Sequence, residues 1–443
     1  MSRPLSNVVP RSAIVTQAAT RRTVLRGMAL SGLAVGGASL LAACGGDSGG
    51  GPASGSSASV KLGINEAEGS GPAYDRLKAI ADAYTAETDT KVSLNAVDHN
   101  TFQESINTYL QGTPDDVFTW FAGFRMAQFA DNQLITDLSD IWPIDGLGDS
   151  FKQAATASDG KQYFVPVSYY PWAVFYRKSV FEKNGWEAPT TNDDFMALMD
   201  DMQGKGITPF AFGDKDGWPA MGTFDILNMR LNGFDFHMSL MAGDEAWDGD
   251  EVKLVFDTWA KLLPYHQEDP LGRTWQEAAT SMAKGKSGMY LLGTFVADAV
   301  GDAKDDLDFF TFPELDSSIG ADALDAPIDG FCVAAGGKNQ DAGKALAKWL
   351  GSAAAADAAN NAADVPFIAA NSGASTSTYG DLEKKSAEVV GSAANIAQFM
   401  DRDTNADFAS TVMIPSIQEF LKNPDDIDGV TASIQEQAAS IFG

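Results

Sequence analysis

The stretch "VPVSYYPWAVFYR" (Val165–Arg177) holds thirteen residues with only one charge, and Val, Tyr, Phe and Trp dominate it. Such β-branched and aromatic enrichment reads as a long buried strand. A capped helical pattern follows in "TNDDFMALMDDMQGKG" (191–206), where Thr191 precedes apolar residues at helical spacing and Gly206 closes the run. The same alternation extends upstream. "VKLGIN" (60–65) and "KVSLNAV" (91–97) read as strands around the helical "YDRLKAIADAYTAET" (74–88). "NTFQESINTYLQG" (100–112) opens with Asn or Thr as a cap and leads to the short strand "DDVFTWF" (115–121) and the helical "RMAQFADNQ" (125–133). Downstream, "GMYLLGTFVADAV", "DFFTFPEL", "IDGFCVAA" and "DAGKALAKWLGS" repeat it, and residues 393–443 read as largely helical. Strand–helix alternation of this kind predicts an α/β fold built on mostly parallel sheets.

The first 59 residues follow different rules. Residues 1–43 contain five arginines and no Asp, Glu or Lys, and "TRRTVLR" (20–26) is similar to a twin-arginine export signal. The small-residue apolar run that follows is shorter than the roughly 20 residues a membrane span needs. It ends in "LAAC", the pattern of a lipoprotein cleavage site, which predicts acylation of Cys44. Just beyond lies "GDSGG" (46–50), also the spelling of the nucleophile loop in chymotrypsin-like proteases. A serine nucleophile needs a base held within hydrogen-bond reach by a rigid scaffold. Ser48 instead sits in a Gly/Ser stretch that runs to Ser59, the composition of a flexible tether. Residues 1–43 are therefore read as a signal peptide, 44–59 as a tether, and the mature chain as lipid-anchored at the outer face of the cell membrane.

Removing the five arginines of the signal from a total of 31 basic residues leaves 26 against 60 acidic ones, a net charge of −34. That balance argues against nucleic-acid binding, which basic side chains drive. A mature chain of about 400 residues is long enough for two domains. With Cys44 acylated, Cys332 has no partner for an intrachain disulfide and reads as a small buried hydrophobe.

Four longer segments, 112–142, 160–213, 285–296 and 308–316, resemble in order the solute-binding proteins of bacterial carbohydrate ABC importers, the family that includes maltose-binding protein. The resemblance implies a two-lobed type II binding-protein fold. The expected division is 60–170 with 327–365 in one lobe and 171–326 with 366–443 in the other, with the ligand in the cleft between them. It also implies a monomeric, non-enzymatic receptor without cofactor or metal that delivers a neutral mono- or oligosaccharide, the oligosaccharide being favoured, to permease subunits. By motif, Trp120 matches the family's sugar-stacking tryptophan, Tyr170 lies on a crossover strand, and Phe295 stands where relatives often carry Trp.

The residues support a sugar site on their own chemistry. Sugars present flat C–H faces and hydroxyl rims, so they need aromatic platforms and planar polar groups. Aromatics cluster beside breakers at the expected strand ends: Trp120 and Phe121; Tyr169, Tyr170 and Trp172; Trp218; Phe295; and Phe331. Polar candidates are Glu66, Glu68, Asp98, His99, Asn100, Asp216, Asp329, Asp401 and Arg402. Trp142, Trp186, Trp259, Trp349, His237 and His266 read as structural, and no basic cluster accompanies the candidates to suit an anionic ligand. Alternatives of other classes are an exported glycoside hydrolase, whose two carboxylates could hide among 60 acids, and a receptor for a polyol, glycoside or amino sugar. A lipid-anchored adhesion protein fits poorly with the aromatic set. No metal-ligand spacing or phosphate loop is present.

Overall fold

The computed structural model describes residues 59–443; the signal, Cys44 and the tether lie outside these residues. The strands are β1 (Ser59–Ile64), β2 (Lys91–Ala96), β3 (Val117–Phe121), β4 (Val165–Tyr169), β5 (Trp172–Arg177), β6 (Thr208–Phe210), β7 (Ser287–Gly293), β8 (Leu307–Phe310), β9 (Ala323–Asp325), β10 (Ile328–Val333), β11 (Ile368–Ala369) and β12 (Asn395–Ala397). The apolar run at 165–177 is two strands, not one. Pro171 has no N–H to donate to a ladder, and the chain leaves one sheet there and enters another. β4 belongs to a six-stranded sheet of order β11-β4-β10-β3-β1-β2, and β5 to a four-stranded sheet of order β6-β7-β5-β8. β9 and β12 form a parallel pair.

The α/β two-lobed arrangement holds, but the sheets are mixed rather than mostly parallel. β1 runs parallel to β2 and β3, whereas β10 runs antiparallel to β3 and β4. In the second lobe β6 and β7 are parallel, and β5 runs antiparallel to β7 and β8. The cause is the crossing of the chain between lobes. β4 leaves the first lobe where β10 returns to it, so the two must run in opposite directions. Ile368–Ala369 still pair with β4, so the chain stays on the first sheet beyond residue 365. The helix Asp381–Ser392 then joins the second lobe, where Lys385 Nζ donates to Asp308 Oδ1 (2.6 Å) and to the carbonyl of Phe309.

Each lobe has its own apolar core, and the helices show why they form where they do. In Asp250–Leu262, Val252, Val255, Phe256, Trp259 and Leu262 are buried, one stripe of a 3.6-residue period. Each such side chain contributes roughly 1.5–3 kcal/mol through burial. The helix His99–Gln111 begins at least two residues earlier than its sequence suggests, because Asp98 rather than Asn100 or Thr101 is the cap and accepts from Thr101 N at 3.2 Å. Every residue of β3 is buried, and the strand is apolar throughout but for Thr119. Cys332, on β10 opposite Phe118, is fully buried, and burial pushes its thiol well above the usual range.

Gly330 marks the tightest approach in the first sheet. A bulge separates Asp329 from Gly330, and a Cβ at Gly330 would run into the carbonyl oxygen of Val165 on β4. Gly330→Ala is expected to destabilise the chain by about 1–3 kcal/mol. Urea denaturation checks this, and an unchanged midpoint would contradict the register described.

Candidate functional site: an aromatic cleft between the lobes

The carboxyl ends of β1, β3, β4 and β7 converge on the gap between the lobes, together with the amino ends of the returning strands β5 and β10. Ligands bind beyond strand carboxyl ends in open α/β sheets. A cavity of about 530 Å³ occupies this gap, with walls from both lobes.

Phe295 is the hub of the second lobe's wall. Its ring centroid lies 5.4 Å from Tyr170, 6.0 Å from Trp172, 6.0 Å from Trp218 and 5.2 Å from Trp275. A Cβ on Gly293 would strike the rings of Phe295 and Tyr170, so glycine is what lets β7 end this close to them. Trp218 and Trp275 ride on two loops tied together by backbone bonds, from Asp214 N to Pro270 O (2.8 Å) and from Lys215 N to Arg273 O (3.0 Å). The indole centroids stand 6.5 Å apart in a T-shaped pair.

The facing wall is charged, and both lobes contribute to it. Arg402 Nη1 donates to Asp329 Oδ1 (2.9 Å) and to the carbonyl of Ile328, while Nη2 donates to Tyr170 Oη (3.2 Å). The guanidinium lies 4.1 Å over the ring of Phe121. Burial works against its charge, but Tyr170, Asp329 and Asp401 more than offset this and hold its pKa above the usual value. Burial also pushes Tyr170 and Asp329 upward, with Arg402 opposing. Arg125 Nη1 bonds both Asp401 Oδ2 (3.1 Å) and Gln103 Oε1 (2.7 Å). The contacts that join the lobes also include Arg76 Nη2 to Asp298 Oδ2 at 3.1 Å, and Asn100 Nδ2 to Asp216 Oδ1 at 3.0 Å. The arginines in this wall are therefore already paired with carboxylates, which keeps the cleft unsuited to an anion.

Of the residues singled out in the sequence, Glu66, Asp98, His99, Asn100, Trp120, Phe121, Tyr169, Tyr170, Trp172, Asp216, Trp218, Phe295, Asp329, Phe331, Asp401 and Arg402 line the cavity. Glu68 does not; it is exposed outside it. Lining is not the same as offering a face. Trp120 is 1% exposed, packed 5.0 Å from both Phe121 and Phe129 and covered by Arg125 at 4.7 Å. The ring expected as a stacking platform therefore props up the wall instead. Phe331 and Trp172 are equally buried, at 2% each. Asp98 is committed to its helix cap. The partly exposed Tyr, Trp and Phe rings that line the cavity are Tyr169, Tyr170, Trp218, Trp275, Phe295 and Phe367.

Asn65, Arg76, Gln103, Trp275, Asp298 and Phe399 also line the cavity, and the sequence reading passed over them. Trp275 carried a usable signal. It follows Thr274, which with Glu277 forms a capping box, so its place at the first position of a helix was legible. Arg76 and Asp298 lie 222 residues apart, and no local pattern joins them.

Among the described residues, one buried cluster has metal-ligating residue types: Asp225, His237 and Asp325, in the second lobe's core. Its hydrogen bonds argue against a cation. Asn232 Nδ2 donates to the carbonyl of Glu251 and to Asn228 Oδ1, which turns Asn228 Nδ2 toward His237 Nδ1. Nδ1 thus accepts, the proton of the neutral ring sits on Nε2, and no lone pair faces the carboxylates.

Burial pushes Glu66 up to about 7; Ser70 and Arg76 oppose this, while Asp298 and Asp98 add to it. A raised carboxylate pKa contributes stability that is intact below the unfolded value, near 4.5, and is lost as pH rises toward 7. The stability of the parent chain relative to Glu66→Gln should therefore fall by on the order of 3 kcal/mol between those values. Thermal unfolding of both proteins across that range checks it; a constant difference would contradict it.

The bacterial extracellular solute-binding protein family matches residues 68–357. An uncharacterized ABC transporter extracellular-binding protein of Pyrococcus horikoshii is 29% identical over 249 residues, covering 54% of each chain. A probable sugar-binding periplasmic protein of Mesorhizobium japonicum is 27% identical over 208 residues, 44% of this chain and 49% of that one. The chain thus spans about half the length of the curated relatives it matches. Among solved structures, the bacterial solute receptor AcbH, described as having an exclusive substrate preference for β-D-galactopyranose, is 41% identical with a TM-score of 0.84. That match covers 87% of this chain and all of the other. With the family matched over well more than half its length, the chain belongs to the bacterial extracellular solute-binding proteins.

Proposed function

We propose that this protein is a receptor for a neutral sugar, that the sugar is a single hexopyranose of the galactose type, and that the receptor hands it to an ABC importer. The observation that carries this reading is the arrangement of Tyr170, Trp218, Trp275 and Phe295 around one partly open cavity whose arginines are already paired with carboxylates. Rings at these angles suit the C–H faces of a pyranose, and the rim suits its hydroxyls. The likeness to a receptor for β-D-galactopyranose supports a monosaccharide over the oligosaccharide that the sequence favoured. The lobes would close on the sugar and open to release it, the Arg76–Asp298 pair holding the closed form. An acyl-Cys44 would keep the receptor, as a monomer, beside its permease at the outer face of the membrane.

A hydrolase reading requires two carboxylates free to act on a glycosidic bond. Asp216 is held by Asn100, Asp329 by Arg402, Asp401 by Arg125 and Asp298 by Arg76, while Asp98 and Glu383 cap their helices by accepting from Thr101 N and Gly380 N, which leaves Glu66 without a free second. Binding without turnover is the chemistry these groups support.

Titrating the protein with D-galactose while following tryptophan fluorescence is expected to give a saturable change, with D-glucose, xylose and raffinose weaker. Trp218→Ala should weaken binding about 10- to 100-fold. Asp298→Asn should weaken it about 3- to 10-fold by depopulating the closed form. No response to any sugar would contradict the reading, as would release of product from a glycoside. In cells, Cys44→Ser should move the protein from the membrane to the soluble fraction, and retention there would contradict the anchor.

A further inference from the structure

His99 stands between two amides, and only one arrangement of protons satisfies them. Its Nε2 lies 2.7 Å from Gln103 Nε2, and its Nδ1 lies 3.2 Å from the side-chain amide of Asn65. Gln103 cannot turn around, because its Oε1 accepts from Arg125 Nη1 at 2.7 Å and a guanidinium only donates. Gln103 therefore presents its NH₂ to His99, and His99 Nε2 must accept. Burial, with Arg402 adding, pushes this imidazole down to about 4, so it is neutral at pH 7 and carries one proton. That proton is on Nδ1. The structure sets Asn65 Nδ2 against Nδ1, but an N–H facing an NH₂ makes no bond, so the network requires the near-isosteric amide to be reversed, with its oxygen toward His99 and its NH₂ away from it. The outward end of the amide bonds no other residue among those described, and Asn65 lines the cavity. The main chain of Asn65 is fixed as well, its N–H donating to Thr119 Oγ1 at 2.9 Å.

The geometry points to Asn65 as a specificity-determining residue: its NH₂, aimed into the cleft by the relay Asp401–Arg125–Gln103–His99, donates to an acceptor oxygen of the bound sugar. This rests on the sugar-receptor reading above. Asn65 is on the loop after β1, whereas Asp401 belongs to the helix Met400–Asp403, so one end of the chain sets the polarity of a contact made at the other. A hydroxyl at that position is tolerated as an acceptor. Fluorine, which accepts and cannot donate, is tolerated too, and hydrogen is not.

Two measurements test this. The first is the ¹⁵N spectrum of the histidine rings of the full chain, which needs neither ligand nor variant. It should show His99 with a pyrrole-like Nδ1 and a pyridine-like Nε2, and the reverse pattern would overturn the relay. The second titrates the protein and its N65D variant with D-galactose and its deoxy and deoxyfluoro analogues at each ring position. Aspartate keeps an acceptor toward His99 and replaces the NH₂ with a second acceptor. At one position the parent protein should bind the fluoro sugar within about threefold of D-galactose and lose about tenfold or more on the deoxy sugar, while N65D rejects the fluoro sugar about tenfold. If N65D ranks the analogues as the parent does, the role of Asn65 is overturned even with the tautomer correct. If D-galactose does not bind at all, the receptor reading for that sugar fails, and the ring spectrum still decides the relay.

Discussion

A single buried guanidinium ties the architecture to the site. Arg402 touches two of the chain's three crossings between lobes: Tyr170, where β4 gives way to β5, and Ile328–Asp329, where β10 begins. It also covers Phe121 at the end of β3. A buried cation is costly unless its donors are met. Meeting them requires the hinge tyrosine, the returning strand and the carboxylates to stand where they do. Gly123 makes room for this, since its φ of +93° and a would-be Cβ contact of 2.6 Å with the Arg402 carbonyl leave no space for another side chain.

From that fixed centre the two walls divide the work. The second lobe offers rings on loops cross-linked by backbone bonds, so stacking area is preorganised. The facing wall offers polar groups whose directions are dictated by neighbours rather than by solvent. The Arg76–Asp298 and Asn100–Asp216 contacts span the gap, and both have to break for the cleft to open. On the proposed reading, a sugar that bridges the same walls would add to the same closed state, and that state would be the signal to a permease.

Much of this was legible in the sequence where the cause is local. Aromatics beside Gly or Pro at strand ends, such as Trp218 after Gly217 and Phe295 after Gly293, do reach the cleft. The lobe boundary after Tyr170 was legible but its strand break was not: Val165–Arg177 reads as one strand, and Pro166, which also lacks an N–H, sits inside β4 while Pro171 separates β4 from β5. What depends on distant partners was not legible. Trp120 has the same local setting as Trp218, yet Phe129 and Arg125 close over it. The antiparallel entry of β10 follows from where the chain returns, and strand composition does not encode that. Asp98 reads equally well as a ligand group or a cap, and the helix takes it. Asn65, with no aromatic or charge beside it, becomes visible only once the hydrogen bonds of His99 are followed.

The most direct test of the central claim is the crystal structure of this chain with D-galactose bound. The account predicts one pyranose between the lobes, with a face against Trp218, Trp275 or Phe295, hydroxyls on Asn65 and Asp216, and the Arg76–Asp298 pair formed. A sugar bound outside the cleft, or one stacked on an exposed Trp120 with the wall of Arg125 and Arg402 displaced, would contradict it.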